Sequence, residues 1–238
     1  MKCCAMNEKI IMNNFSISSS EEDASLFGSK EDLVILDLGP AFLTGPTRQS
    51  FIMAKKYREV TLYLIEPHPN FARFCKEQAE GYENIIVIQK AISDYNGTAK
   101  LKECNNSECS SILDVDIDKI KKSGWPQPQW LELSEKTFDV EVCRLDKIIE
   151  EYEIKQIDHI KIDIQGEDLK ALQSAGRHLD IIKKGVLESS IGEEQSLYKG
   201  QHTQKECVDF LESKGFKITD IEPNDPIGVE VNIHFEKL

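Results

Sequence analysis

Short runs of β-branched and aliphatic residues alternate with helical spacings along most of this chain, and that alternation confines it to few folds. Leu33 to Leu38 reads as a buried strand. Pro46 to Tyr57 reads as a helix, because Pro46 falls in a first turn whose N–H groups lack intrahelical partners anyway. Thr61 to Ile65 makes a second strand; Phe71, Phe74, Cys75 and Ala79 then recur at helical spacing, and Gly81 stands where such a helix stops. Ile85 to Ile88 reads as a third strand. Ile160, Ile162 and Ile164 mark a further one, and Gly185 to Leu187 another. Thr203 and Glu206 form a capping-box pattern ahead of Cys207, Phe210 and Leu211, with Lys214 and Gly215 closing that helix. Strands near Phe216 to Ile221 and Val229 to Phe235 follow, and no internal repeat is present. Strand-helix-strand order with right-handed crossovers predicts an α/β, doubly wound and mostly parallel sheet. In open sheets of that kind, ligands bind at the carboxyl ends of the strands.

Composition narrows the classes further. The 238 residues carry a formal charge of -13, and the basic residues are interleaved with acids. A nucleic-acid surface needs clustered Lys and Arg, so no nucleic acid is expected as a partner. No apolar run approaches the roughly 20 residues needed to cross a bilayer, and the amino terminus has no long hydrophobic stretch. The expectation is a cytoplasmic protein with no membrane span. Seven cysteines without a CxxC pair disfavour structural zinc and a disulfide framework. Cys75, Cys143 and Cys207 fall at apolar positions and read as small buried hydrophobes. Two regions are expected: residues 1 to 30, a polar, acidic arm serving as lid, packed extension or mobile tail, and residues 31 to 238, a single domain.

The chemistry concentrates where strands end. Asp163 closes the Ile160 strand, in IKIDIQGEDLKALQSAG, ahead of a helix whose buried stripe is Leu169, Leu172 and Ala175. Its carboxylate is the first candidate for acid/base work, and it is expected next to the Thr61 to Ile65 strand, which Glu66 ends. Glu167 and Asp168 are read equally well as helix-entry acids that offset the helix dipole. DLGPAFLTG, Asp37 to Gly45, follows the first strand, and EPHPNF, Glu66 to Phe71, the second. A glycine turn lets backbone approach a ligand, and an acid ending the second strand can accept two hydrogen bonds from a ribose diol. The interval from Glu103 to Lys136 is polar and holds Trp125 and Trp130, so it is expected to be a long insertion loop that either shapes a pocket or packs onto the domain. Asp114, Asp116 and Asp118 alternate like a calcium loop, but Lys119 occupies the sharp-turn glycine position and Trp125 that of the bidentate acid. No metal site is expected.

Together these segments resemble the FkbM-type methyltransferases, a family with the class I S-adenosylmethionine-dependent methyltransferase fold. The resemblance runs from Leu33 to about Phe216. It rests on DLG, EPHPNF, AISDYNG at Ala91 to Gly97, SSIL at Ser110 to Leu113, VCRLDKII at Val142 to Ile149 and KIDIQGEDLKAL at Lys161 to Leu172. It implies a Rossmann-like, seven-stranded sheet with an antiparallel last strand and S-adenosyl-L-methionine as cofactor. By the same resemblance Gly39 and the turn after it hold the methionine part, Glu66 takes the ribose hydroxyls, and the segment of Ala91, Ile92 and Asp94 borders the adenine; Asp37, Gly45 and Pro67 belong to the same cofactor-binding set. Asp163 faces the methyl group or the acceptor. Two departures stand out: Pro40 and Ala41 replace a common Ala-Asn pair, with the next glycine late at Gly45, and Gln165 replaces a common acid beside Gly166.

The implied reaction is methyl transfer to a hydroxyl of a small molecule or glycan precursor. Asp163 is the first candidate base, Glu188 and Asp168 the next, and His202 a more remote one. A homodimer is one assembly that the sequence leaves open. The alternatives are a non-catalytic cofactor-binding or interaction module of the same fold, and a nicotinamide dehydrogenase, which the missing GxGxxG disfavours.

Overall fold

The computed structural model describes residues 32–125, 127–225 and 227–238; the expected arm at residues 1 to 30 lies outside the described residues. The first half of the main sheet forms from β1 (Leu33–Leu38), α1 (Gly45–Lys56), β2 (Val60–Ile65), α2 (Pro69–Ala79) and β3 (Ile85–Ile88). A second group follows: β4 (Ala91–Ile92), β5 (Gly97–Cys104), α3 (Ile117–Ser123) and β6 (Leu133–Cys143). The chain then returns through α4 (Leu145–Glu151), β7 (His159–Ile162), α5 (Asp168–Gln173), β8 (Lys184–Ser190), α6 (Gln204–Ser213), β9 (Phe216–Pro223) and β10 (Glu230–Lys237). The seven-stranded sheet has the order β3-β2-β1-β7-β8-β10-β9. Its pairs are parallel except those of β10, which runs antiparallel to both β8 and β9. The expected doubly wound sheet with an antiparallel last strand is what the chain forms.

The chain winds outward from β1 to β3 and resumes at β7 on the other side of β1. That reversal opens a crevice at the carboxyl ends of β1 and β7, the place where such sheets bind ligands. The strands hold the crevice rigid because they are buried on both faces, as parallel strands between helices must be: Leu36, Leu38, Leu62, Leu64, Ile160 and Leu187 are almost wholly inaccessible. Each such side chain contributes on the order of 1.5–3 kcal/mol over its exposed state. α6 begins with the expected capping box, Thr203 and Glu206 each satisfying the other's backbone N–H. Among the described residues, no helix is long and apolar enough to cross a membrane, and Cys75, Cys143 and Cys207 are buried free thiols.

Three expectations are corrected. The interval from Glu103 to Lys136 is not one long loop: it holds the end of β5, α3 and the start of β6, and β4, β6 and β5 make a separate three-stranded sheet in that order. Apolar runs do not reveal β5 and β6, because their residues are largely charged and solvated on one face. β7 stops at Ile162, so Ile164 belongs to the turn. Asp163 lies between β1 and β8, its N–H donating to the Leu38 carbonyl, rather than beside the strand that Glu66 ends; β1 separates the two.

A candidate active site at the carboxyl edge of the sheet

A cavity of about 330 Å³ opens over the carboxyl ends of β1, β2, β7 and β8 and under the segment that joins β5 to β6. Its first wall is the turn after β1. Gly39 has φ +82, and a Cβ there would stand 1.8 Å from the carbonyl oxygen of Asp163, so only glycine lets the β1 and β7 ends come together. Ala41 and Leu43 also have positive φ, 44 and 58, conformations that cost energy for residues with a Cβ. The turn is held partly by Glu66, whose Oε2 accepts from Ala41 N–H at 3.1 Å and Oε1 from His68 N–H at 2.8 Å. Burial pushes the Glu66 pKa up to about 7, offset in part by those two backbone donors. His68 caps α2 by accepting from Asn70 N–H at Nδ1, and its Nε2 meets Glu103 at 3.3 Å. The EPHPNF turn is therefore ordered from inside, as its sequence suggests.

The second wall is a row of charges aligned by strand register. Asp37 pairs with Lys161, Leu38 with Ile162, and Ile162 with Leu187. Neighbouring strands in register put side chains on the same face, so Asp37, Lys161, Asp163 and Glu188 form one row. Lys161 Nζ lies 3.6 Å from Asp37, 3.3 Å from Asp163 and 3.3 Å from the Gly39 carbonyl. Burial opposes the charge of Lys161, yet Asp163 and Asp37 outweigh it and its pKa is raised. Asp163 leaves a third of its side chain open and accepts from Gln165 Nε2 at 3.0 Å. Burial alone would raise its pKa, but the Lys161 ammonium and the hydrogen bond from Gln165 hold it below the usual carboxylate range. Glu188 moves the opposite way, driven well up by burial and then by Asp163 and Glu230. The two adjacent carboxyls are thus pushed in opposite directions, Asp163 down and Glu188 up.

Gln165 is keyed into this row. Its φ is +60; its Nε2 serves Asp163 while its Oε1 accepts from the Tyr198 hydroxyl at 2.7 Å. An acid at this position would set a second carboxylate against Asp163.

Of the residues singled out in sequence, Gly39, Gly45, Glu66, Pro67, Ala91, Ile92, Asp163 and Glu188 line the cavity. Asp37 lies beneath it, against Lys161. Asp94 is exposed and outside the lining, its backbone carbonyl accepting from Arg144 at 2.9 Å. Asp168 also lies outside: its two oxygens accept from Ile164 N–H and Gly166 N–H at 2.9 Å each, so it braces the β7–α5 turn. Burial, only partly offset by those donors, lifts its pKa to about 7. Glu167 borders the cavity and accepts from Ser93 and, at 2.7 Å, from Lys170. Glu188 is interior to β8 rather than its last residue, and His202 is half-buried away from the lining. Both tryptophans line the cavity, and Trp125 also packs on a core around Leu131 and Tyr198. Sequence reasoning missed Lys161, Glu108, Asn224 and Glu230. Lys161 could have been found as the residue two before Asp163 on the same strand face; Glu230 enters through an antiparallel pairing that leaves no local trace.

A family model described as the Methyltransferase FkbM domain matches residues 46–218. A curated relative, the 2-O-methyltransferase NoeI of Sinorhizobium fredii (strain NBRC 101917 / NGR234), is 27% identical over 185 residues, 77% of this chain and 73% of that protein. Among solved structures, Aeropyrum pernix fibrillarin in complex with natively bound S-adenosyl-L-methionine aligns with a TM-score of 0.48 at 14% identity, over 90% of this chain and 72% of that one. The Methanococcus jannaschii fibrillarin pre-rRNA processing protein aligns with 0.48 at 17% identity, over 87% and 68%.

Proposed function

The chain belongs to the FkbM methyltransferase family and is a methyltransferase that uses S-adenosyl-L-methionine; from this premise we propose that it methylates a hydroxyl of a small molecule or glycan precursor, with Asp163 as the base. The residues present fit the cofactor. Gly39 has no room for a side chain, which keeps the β1 turn against the β7 end. Glu66 lines the cavity with both oxygens already oriented by backbone donors, which leaves its remaining lone pairs to accept from a ribose diol. Pro67, Ala91 and Ile92 supply an apolar wall beside it. When bound, the cofactor supplies an activated sulfonium methyl group.

The protein's own task is then alignment and proton removal. Holding the reacting atoms in line accounts for much of the rate in such displacements. An alcohol is a poor nucleophile, and Asp163 is the group in the cavity built to improve it: it is ionised, open to the cavity on one side and fixed on the other by Lys161 and Gln165. The hydroxyl proton passes to Asp163 as the new bond to oxygen forms. That carboxylate, fixed by Lys161 and Gln165 and open to the crevice, is the observation that carries the reading.

Calorimetric titration with S-adenosylhomocysteine, combined with labelled methyl donor and a panel of glycan and metabolite alcohols, tests it. Cofactor binding with label on an acceptor oxygen is expected. Binding without transfer to any alcohol would turn the reading toward a module that holds cofactor only.

A further inference from the structure

Beyond Asp163 the cavity continues along the sheet edge, and its charges there are unbalanced. Glu108, Glu188 and Glu230 line this end with Asn224. Lys161, the nearest cation, is engaged by Asp37, Asp163 and the Gly39 carbonyl. Register fixes how the acids face each other. Asn232 pairs with Glu188 and Glu230 with Ser190, which makes Glu188 and Glu230 a diagonal pair on one face, roughly 7–8 Å apart at the backbone.

Glu188 supplies the observation that points to a ligand. Its side chain is 2% exposed, and Oε2 is buried without a protein donor of its own; Oε1 accepts from Asn224 Nδ2. Glu230 is also buried, its one hydrogen bond from a side chain being a long 3.5 Å contact from Gln201. Two buried carboxyls this poorly matched are stable only when protonated or when a bound donor replaces the proton. An ammonium group carries three donors and a charge, enough for both. A neutral hydroxyl offers one donor and no charge.

We propose that the acceptor carries a primary ammonium group held between Glu188 and Glu230, with a neighbouring hydroxyl presented to Asp163. The proposal rests on the O-methyltransferase reading and adds the substrate class: an amino alcohol or amino sugar with a free amine. It also accounts for selectivity between two nucleophiles. An amine kept as ammonium has no lone pair with which to attack a methyl group, so the oxygen is alkylated and the nitrogen is not. The sulfonium of the cofactor is the competing cation, but Glu188 and Glu230 stand on β8 and β10, one and two strands beyond β7 and away from the Gly39 and Glu66 wall.

The test uses the full chain loaded with S-adenosylhomocysteine. Ethanolamine and D-glucosamine are titrated beside their N-acetyl derivatives, following the glutamate carboxyl carbons by NMR. The amines should bind roughly tenfold or more tightly than the acetylated forms and should lower the carboxyl pKa values of Glu188 and Glu230, the scale of a charge-assisted contact. Glu230→Gln should erase that preference while S-adenosylhomocysteine affinity stays within about threefold. Glu188→Gln serves as the second variant should the first fold poorly. Equal binding of amines and acetylated forms would overturn the proposal. So would a Glu230→Gln protein that loses cofactor affinity as much as amine affinity, since the carboxyls would then serve the sulfonium. Neither readout needs turnover, so a failure of methyl transfer is registered separately, by the labelled-donor assay.

Discussion

At the scale of single residues, the site separates carboxyls that work from carboxyls that brace, and this separation is testable. Asp163→Asn retains shape and the Gln165 contact in a flipped amide, so the fold and S-adenosylhomocysteine affinity should persist while turnover with saturating donor falls roughly 100-fold or more, as on loss of a general base. A rate within a few-fold of the parent would remove Asp163 from proton transfer. Glu66 makes a second case. Its pKa stands at about 7 in the unliganded protein, and donors from a diol favour its ionised form, so cofactor binding should tighten as pH rises through 7 and level off above it. Glu66→Ala should weaken binding by about 1.5–3 kcal/mol, the worth of hydrogen bonds to a charged group. It should also flatten the pH dependence; an unchanged, pH-sensitive dissociation constant in the variant would place the diol elsewhere. Asp168 was indistinguishable from these in sequence. An acid two residues past a glycine turn can face either the ligand or the turn's own N–H groups, and only the fold decides; here it faces Ile164 and Gly166.

At the scale of elements, the parallel strands were legible because burial on both faces leaves continuous apolar runs, as in Leu33–Leu38 and Val60–Ile65. The capping box before α6 was legible because its chemistry is local. The β5–β6 ladder was not: Lys100, Lys102, Asp139 and Glu141 lie on a solvated face and break up the apolar pattern, and pairing such as Lys100 with Asp139 joins residues far apart in the chain. Two element-scale outcomes follow. Thr203→Ala removes one side of the capping box and should cost about 0.5–2 kcal/mol in urea unfolding, with cofactor affinity unaltered. Gly39→Ala should be far worse than its size suggests, because its Cβ meets backbone, the Asp163 carbonyl, rather than a yielding side chain. Loss of S-adenosylhomocysteine binding together with lowered stability is expected; a variant with normal titration and normal unfolding would mean that the β1 and β7 ends do not meet as described.

At the scale of the whole molecule, the buried carboxyls set how stability depends on pH. Glu66 and Asp168 at about 7 and Glu230 at about 8 bind protons more tightly in the folded chain than in the unfolded one, where carboxyls titrate near their ordinary values. Their stabilisation is complete below about pH 4 and is lost as pH rises through 7 to 8. Urea midpoints should therefore decline from pH 5 to pH 8; a rising midpoint across that range would show these groups ionised in the folded protein. The antiparallel ladder also decides which stretches of chain can be replaced independently. Cys104 at the end of β5 pairs with Leu133 at the start of β6, so the whole excursion that carries Trp125, Trp130 and Glu108 leaves and re-enters the body at adjacent points, about 5 Å apart. Its ends are close, but its interior is fastened to the body as well, Val115 bridging to Tyr198 and Leu131 packing with Leu197, Tyr198 and Val229. Grafting a counterpart would therefore have to carry residues 197 to 199 with it, because Asp116 N–H donates to the Leu197 carbonyl, Lys199 N–H to the Asp114 carbonyl and the Tyr198 hydroxyl to the Cys109 carbonyl: the acceptor side of the crevice is a mosaic of two stretches of chain.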